Sequence, residues 1–370
     1  MRLVIVGGGP VGLASAIRAR LAGLDATVLE RAHPDIDKGC GEGLMPGGVA
    51  QLLEMGVVVD PDGVSPFRGI RYLDGAVVAE GDFPTGEGWG IRRLHLHRGL
   101  VARAREVGAD LRFGVEVTGL RDDGVETARG PVPADLVIGA DGLHSRVRRW
   151  AGLHDGETRL RRFGVRQHYR MPPWTDRVEV YWSDDAEAYV TPVGPNRVGI
   201  AMLWSGRKAR FGALLAGFPS LARRLEGQPV DSQPRGAGPL GQRVKGVLRE
   251  GPVPVALVGD AAGYLDAITG EGLSLGFHQA HALVDAAVAG DLGRYPVAWR
   301  RLIRVPFAMI RLLLLIEQRP WFRRRVIAAL AREPEVFGRM LAVNDGALPL
   351  WGVGVGGGVR LAARVLVGAR

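Results

Sequence analysis

The stretch Arg2-Leu3-Val4-Ile5-Val6-Gly7-Gly8-Gly9-Pro10-Val11-Gly12, with Glu30 eighteen residues beyond Gly12, decides how the rest of the chain is read. Arg2–Val6 is a short apolar run of the kind a buried parallel strand needs. The glycines break it, a helix is predicted from about Val11 to Ala22, Gly23 stands where a helix C-cap belongs, and Ala26–Glu30 reads as a second strand. Each glycine has a separate task in such a βαβ unit. Gly7 permits the tight turn, Gly9 lets backbone approach a pyrophosphate, and Gly12 lets helix and strand pack closely. Pro10 and Val11 then open a helix whose free N–H groups face the phosphates. Glu30, followed by Arg31, ends the second strand where a carboxylate can accept bonds from a ribose diol. The unit predicts a dinucleotide site.

Composition sets the bounds. A chain of 370 residues with 46% hydrophobic content and 24% charged residues can bury a large core and is not disordered. Its single cysteine excludes a disulfide scaffold and a Cys-based zinc or iron–sulfur centre. No His/Asp/Glu spacing suggests a metal. Ser145 lacks a nucleophile-elbow context, which disfavours hydrolase chemistry. The chain begins directly with a strand and no charged-then-apolar leader, so a cytoplasmic protein is expected.

Two later segments repeat the theme of an apolar strand ending in aspartate beside glycine. They are Leu136-Val137-Ile138-Gly139-Ala140-Asp141-Gly142, followed by Ser145-Arg146-Val147-Arg148, and Val258-Gly259-Asp260-Ala261-Ala262, followed by Gly270-Glu271-Gly272. Before the first of these, residues 64–92, and between the two, residues about 160–205, alternate in the manner of antiparallel strands. A helix is expected over Arg98–Val107, another from Gly272 to about Ala289, and mostly helix beyond, interrupted by prolines such as Pro306.

Three such motifs in this order resemble the para-hydroxybenzoate hydroxylase superfamily of FAD-dependent oxidoreductases, over about residues 1–290. The resemblance implies an α/β fold: a GR2-type Rossmann-like FAD-binding domain (1–65, 93–160 and 250–292), an inserted β-sheet substrate domain (66–92 and 161–249) and a helical C-terminal segment (293–370). It implies that Gly7, Gly9, Pro10, Val11 and Gly12 hold the diphosphate and that Glu30 and Arg31 meet the adenosine ribose. Asp260, beside Gly259, would bind the ribityl chain, and Asp141 with Gly142 would serve flavin and nicotinamide contacts. Arg98, in Leu96-His97-Arg98, fits the arginine that leans on the flavin from the start of its helix. Gly270 and Gly272 open a helix aimed at the flavin edge where negative charge grows on reduction.

The family has branches. The first reading follows its hydroxylase branch, which implies an NAD(P)H-consuming monooxygenase acting through a flavin C4a-hydroperoxide on an aromatic or polyketide-like apolar secondary metabolite; the reductase branch is the alternative. The segment Lys38-Gly39-Cys40-Gly41-Glu42-Gly43-Leu44 is instead similar to the Cys-Gly-Gly loop of the geranylgeranyl reductase-like branch, which saturates isoprenoid double bonds. Cys40 and Gly41 are expected as cofactor contacts, with Cys40 not a nucleophile. A non-catalytic flavin-binding redox partner at a membrane is a third reading, disfavoured because all three motifs are intact. The apolar sheet Val178–Leu203 would wall off water. His168, Tyr169, Tyr181, Trp182 and Tyr189 are candidates to position a substrate hydroxyl, and no catalytic acid or base stands out among them.

Residues 298–325 hold eight arginines against one acid, Glu317, so most of the chain's net +9 sits there. A solvated helical face is the plain reading. A basic amphipathic surface resting on anionic lipid at the inner face of a membrane is the sharper one. Nucleic acid is not expected, because no recognisable motif accompanies the patch.

Overall fold

The computed structural model of the protein describes residues 1–207 and 209–367. Five parallel strands run in the order Val255–Leu257, Leu136–Gly139, Arg2–Val6, Asp25–Glu30 and Asp110–Phe113, with Leu248–Arg249 antiparallel at one edge. All four residues of Leu136–Gly139 are buried, as a strand covered on both faces must be. One face carries the helices Pro10–Leu21, Arg93–Glu106 and Gly272–Val288, packed through Leu13, Ile17, Leu100 and Phe277. A three-stranded meander, Val117–Arg121, Gly124–Thr127 and Gly130–Pro133, contributes Val117 and Val125 to the same core as the strands.

A second sheet has seven strands in the order Arg235–Ala237, Arg162–Tyr169, Val198–Ser205, Ala186–Pro192, Val178–Trp182, Gly69–Asp74 and Val77–Asp82. Strand alternation sorts its residues by face. Ala188, Val190 and Ile200 join Phe218 and Leu221 in a core, while Tyr189, Thr191, Ala201 and Leu203 face a cavity.

The helices Arg294–Glu317, Pro320–Ala331, Pro334–Asn344 and Val355–Val367 close the other side of that cavity. The first of them runs straight through Pro306, where the sequence predicted a break. Pro306 is buried beside Ile310, and that packing offsets the roughly 3 kcal/mol a helix-interior proline costs. The C-terminal wall is fastened by buried charge. Arg162 bonds Glu187, Asp266 and Glu317, Arg323 bonds Asp74, and the Gly47 N–H donates to Asp345.

Candidate functional site

Gly7 turns the chain after the first strand in the left-handed region, at φ +112°, with its Cα against the Ala140 backbone. A Cβ on Gly12 would fall inside the Gly7 carbonyl oxygen, so helix and strand can approach this closely only with glycine there. Gly9 differs: a Cβ there would meet nothing within 4 Å, because it would point into the cavity. Gly9 caps the helix Pro10–Leu21, and Pro10 takes the first helical position. Glu30 is held against this turn by the N–H groups of Gly8 (2.7 Å) and Ala32 (2.8 Å). Gly7, Gly9, Pro10, Val11, Glu30 and Arg31 all line the cavity, whereas Gly12 lies beneath its floor.

The second and third motifs do different work from one another. The Asp141 carboxylate is occupied by the Ser145 hydroxyl (2.5 Å) and the N–H groups of Arg146 (2.7 Å) and Val147 (3.1 Å), which it caps. Asp141 and Gly142 still border the cavity. Arg148, fully buried, donates to the carbonyls of Asp260, Ala261 and Leu143 and to Gln242, and so ties the second motif to the third. Asp260 itself presents a carboxylate to the cavity that accepts no hydrogen bond from the described residues. Burial pushes its pKa up, opposed by the charges of Lys38, Arg93 and Arg148. Gly259, Gly270 and Gly272 line the same end, and Gly272 begins the helix whose N-terminal N–H groups face it.

Two wall residues escaped the sequence reading. Lys38 and Arg93 project into this end opposite Glu30 and Asp260. Burial, together with the nearby Arg93 charge, pushes the Lys38 ammonium down. Arg93 replaces Arg98 as the arginine at the start of its helix. The helix begins at Arg93, five residues earlier than expected, and one and a half turns later Arg98 points to solvent, bidentate to Asp35 (2.7 and 2.8 Å). The expected role of Arg98 as a flavin contact is therefore corrected. The unbroken pattern of Arg92-Arg93-Leu94-His95 marks the earlier start only in hindsight, since no capping side chain announces it.

The loop Lys38–Leu44 crosses the middle of the cavity, and Cys40 and Gly41 line it. Burial pushes the Cys40 thiol up, which keeps it protonated and fits a contact rather than a nucleophile. Glu42 adopts φ +61°, unusual for a non-glycine residue. The cause lies in its side chain. The buried carboxylate accepts from Arg92 (2.8 Å) and the Arg93 N–H (2.8 Å) and meets His168 Nε2 at 2.5 Å. Arg166 adds a bond to Asp37 (2.5 Å) and one to the Lys38 carbonyl (2.9 Å). His168 is thus an anchor for the loop, sealed from the cavity, not a substrate-positioning group. Tyr169 packs on Phe211, and Tyr181 bonds Glu179, so neither reaches the cavity. Trp182 and Tyr189 do, with the Tyr189 hydroxyl donating to the Ile268 carbonyl (3.0 Å).

The cavity is one continuous space of about 1370 Å³. It runs from the glycine turn, past the Cys40 loop and the sheet residues Val178, Val180 and Leu203, to the C-terminal helices. There Met309, Leu313, Ile316, Val326, Leu330 and Leu361 enclose it. A site for a small ligand is about 300–1,000 Å³, so this one has room for a dinucleotide and a long apolar molecule end to end. The residues present fit FAD: a turn open at Gly9, an acceptor at Glu30, an unengaged carboxylate at Asp260 and a helix N-terminus at Gly272.

Comparison with known proteins agrees. Residues 1–210 match the FAD binding domain family. FAD-dependent monooxygenase OpS4 of Beauveria bassiana is 35% identical over 164 residues, which cover 40% of this chain and only 38% of that protein. Other relatives match over most of their length. Menaquinone reductase of Mycobacterium tuberculosis is 28% identical over 79% of this chain and 78% of its own, and Digeranylgeranylglycerophospholipid reductase 1 of Methanopyrus kandleri is 30% identical over 78% and 79%. Among solved structures, a flavoprotein/dehydrogenase from Cytophaga hutchinsonii superposes with a TM-score of 0.84 at 18% identity, covering 99% of this chain and 98% of that one.

Proposed function

From a chain that belongs to the FAD binding domain family of FAD-dependent oxidoreductases, we propose a reductase that saturates carbon–carbon double bonds in a long isoprenoid-type substrate, with NAD(P)H as the source of electrons. The observation that carries this reading is the length and apolar lining of the cavity beyond the Cys40 loop. An aromatic or polyketide substrate would not need the stretch enclosed by Met309, Ile316, Leu330 and Leu361. The similarity to the two prenyl-lipid and quinone reductases over most of their length supports the same choice.

FAD held at the glycine turn would supply two-electron transfer to one carbon of the double bond. The residues of the chain do the rest. The glycine turn, Glu30 and Asp260 hold and orient the dinucleotide. Lys38 and Arg93 place positive charge at the end of the cavity where the dinucleotide's own charge would lie. Val178, Val180, Leu203 and Ile268 exclude water and align an extended chain along the sheet. The other carbon of the double bond needs a proton, and the Cys40 thiol and the Tyr189 hydroxyl both sit protonated on this wall.

A monooxygenase acting on an apolar aromatic or polyketide-like metabolite is the second reading, favoured by the 35% identity with OpS4. One experiment separates the two. The purified flavoprotein is incubated with NAD(P)H and a lipid extract of the source cells, with labelled oxygen gas and again without oxygen. A product gaining only hydrogen, formed equally well without oxygen, supports the reductase. A product carrying one labelled oxygen atom, formed only in its presence, overturns it in favour of the monooxygenase.

A further inference from the structure

The far end of the cavity opens at the surface, and the residues around the opening do not suit water. Leu312 and Leu366 both line the cavity and are 44% and 79% exposed, which places them at its mouth. Leu315 lies nearly one turn from Leu312 and is 55% exposed. Trp321 is 62% exposed, and its ring packs 5.6 Å from that of the wall residue Phe322.

The stretch of chain that carries most of this rim, 300–325, also carries positive charge with no internal partner. Among the described residues, Arg300, Arg301, Arg304, Arg311, Arg319 and Arg325 form no ion pair. Their neighbours Arg323 and Arg324 are by contrast engaged with Asp74 and Asp184. The Arg325 guanidinium sits 5.6 Å over the Trp321 ring, so charge and indole occupy one patch. A solvated face explains the arginines but not the leucines and the tryptophan among them.

We propose that this face docks on an anionic lipid bilayer, with Leu312, Leu315, Trp321 and Leu366 in the interfacial layer and the arginines on the headgroups. Charge complementarity selects the occupant. A second copy of the chain would oppose two sets of unpaired arginines. A nucleic acid would satisfy the arginines and leave the leucines and the indole in water. A bilayer satisfies both, through anionic headgroups above and acyl chains below. Docked in this way, the mouth opens toward the acyl layer, and a long apolar molecule can enter the cavity without crossing water. The docking does not depend on which reaction the cavity hosts.

The test is cosedimentation of the full-length flavoprotein with vesicles of phosphatidylglycerol and phosphatidylcholine, or of phosphatidylcholine alone. Binding to the anionic vesicles, released by salt, is expected. Each arginine at such a surface is worth about fivefold, so Arg311→Gln, Arg319→Gln and Arg325→Gln together lower binding on the order of a hundredfold. Trp321→Ser lowers it further. FAD content and melting temperature stay unchanged in these variants, because none of the four side chains has a buried polar partner. Wild-type protein that remains in the supernatant with anionic vesicles overturns the proposal. So does a triple variant that binds like wild type, or a concentration-dependent dimer dissociated by Trp321→Ser. None of these results bears on the product analysis that tests the reductase.

Discussion

Asp260→Ala should move affinity and stability in opposite directions. In the protein alone the Asp260 carboxylate lies at the cavity wall, accepts no hydrogen bond from the described residues, and has its pKa raised by burial. A raised carboxyl pKa means that the native state holds the proton more tightly than the unfolded chain does. Stability is therefore lost as pH climbs from the unfolded value through the folded one, and the loss is complete above it. Removing the group relieves that cost, so the FAD-free variant should melt no lower than wild type at neutral pH. FAD binding should suffer, because a hydroxyl of the ribityl chain loses a charged acceptor. Such a bond contributes about 1.5–3 kcal/mol, which is roughly a ten- to hundredfold rise in Kd. The assay is fluorescence titration of stripped protein with FAD, paired with thermal unfolding of the same sample. An unchanged Kd would refute the assigned role of Asp260. A melting temperature that falls sharply without FAD would refute the claim that the carboxylate is unengaged.

Three further outcomes follow from the same geometry. Gly9→Ala should fold within about 0.5 kcal/mol of wild type yet purify without yellow colour, because its Cβ meets only the space reserved for the diphosphate; Gly12→Ala, driven into the Gly7 carbonyl, should lose about 1–3 kcal/mol or fail to fold, and chemical denaturation separates the two. Arg98→Ala should leave flavin absorbance and FAD affinity as they are, since its partner is the exposed Asp35, and a shifted flavin spectrum would return Arg98 to the site. Glu187, pushed up to about 8 from 4.5 by burial among Asp266 and Glu317, takes up a proton on folding, so stability should fall as pH rises between those values. Glu187→Gln should flatten that slope in melting temperature against pH, and parallel profiles for variant and wild type would show that the group does not titrate there.

Much of the cofactor end was legible because each requirement there is local. A tight turn, a backbone approach and a close helix–strand contact each demand glycine at a fixed spacing, and Gly7, Gly9 and Gly12 satisfy them within a few residues. Asp260 was reached through the third motif of the resemblance, and it sits in the turn Gly259–Ala262 just past the buried strand Val255–Leu257. Arg98 was misassigned because its position depends on where a helix begins. The helix Arg93–Glu106 has no side-chain cap to fix its start, and a shift of five residues turned the chosen arginine toward solvent. His168 stayed one of five candidates, most of them expected to be packing, because alternation along a strand tells which residues share a face but not which face meets the cavity. The answer lies in Glu42, more than a hundred residues earlier, whose buried carboxylate takes His168 as a partner. The path of the cavity between the C-terminal helices could not be read at all, since it exists only where four helices stand off part of a sheet they pack against elsewhere.

That gap shapes how the C-terminal segment is attached. A helical layer on a sheet is ordinarily held by burying a continuous apolar seam against it. Here the inward faces of Arg294–Glu317, Pro320–Ala331 and Val355–Val367 spend much of their apolar surface on the cavity. Apolar packing persists where Phe337 and Ile327 meet Tyr72 and Ala79, and points of buried polar contact add to it: Glu317 reaches Arg162, Arg323 at the edge of the lining reaches Asp74, and Asp345 takes the Gly47 N–H. Buried ion pairs are weak contributors to net stability but costly to break one partner at a time. They fix position where packing cannot, and so they can hold a wall at a distance from its sheet. An apolar seam in the same place would have closed the cavity. The arginines the sequence presents as one basic cluster thus divide into two groups, with Arg323 holding the wall in place and Arg311, Arg319 and Arg325 in no ion pair among the described residues.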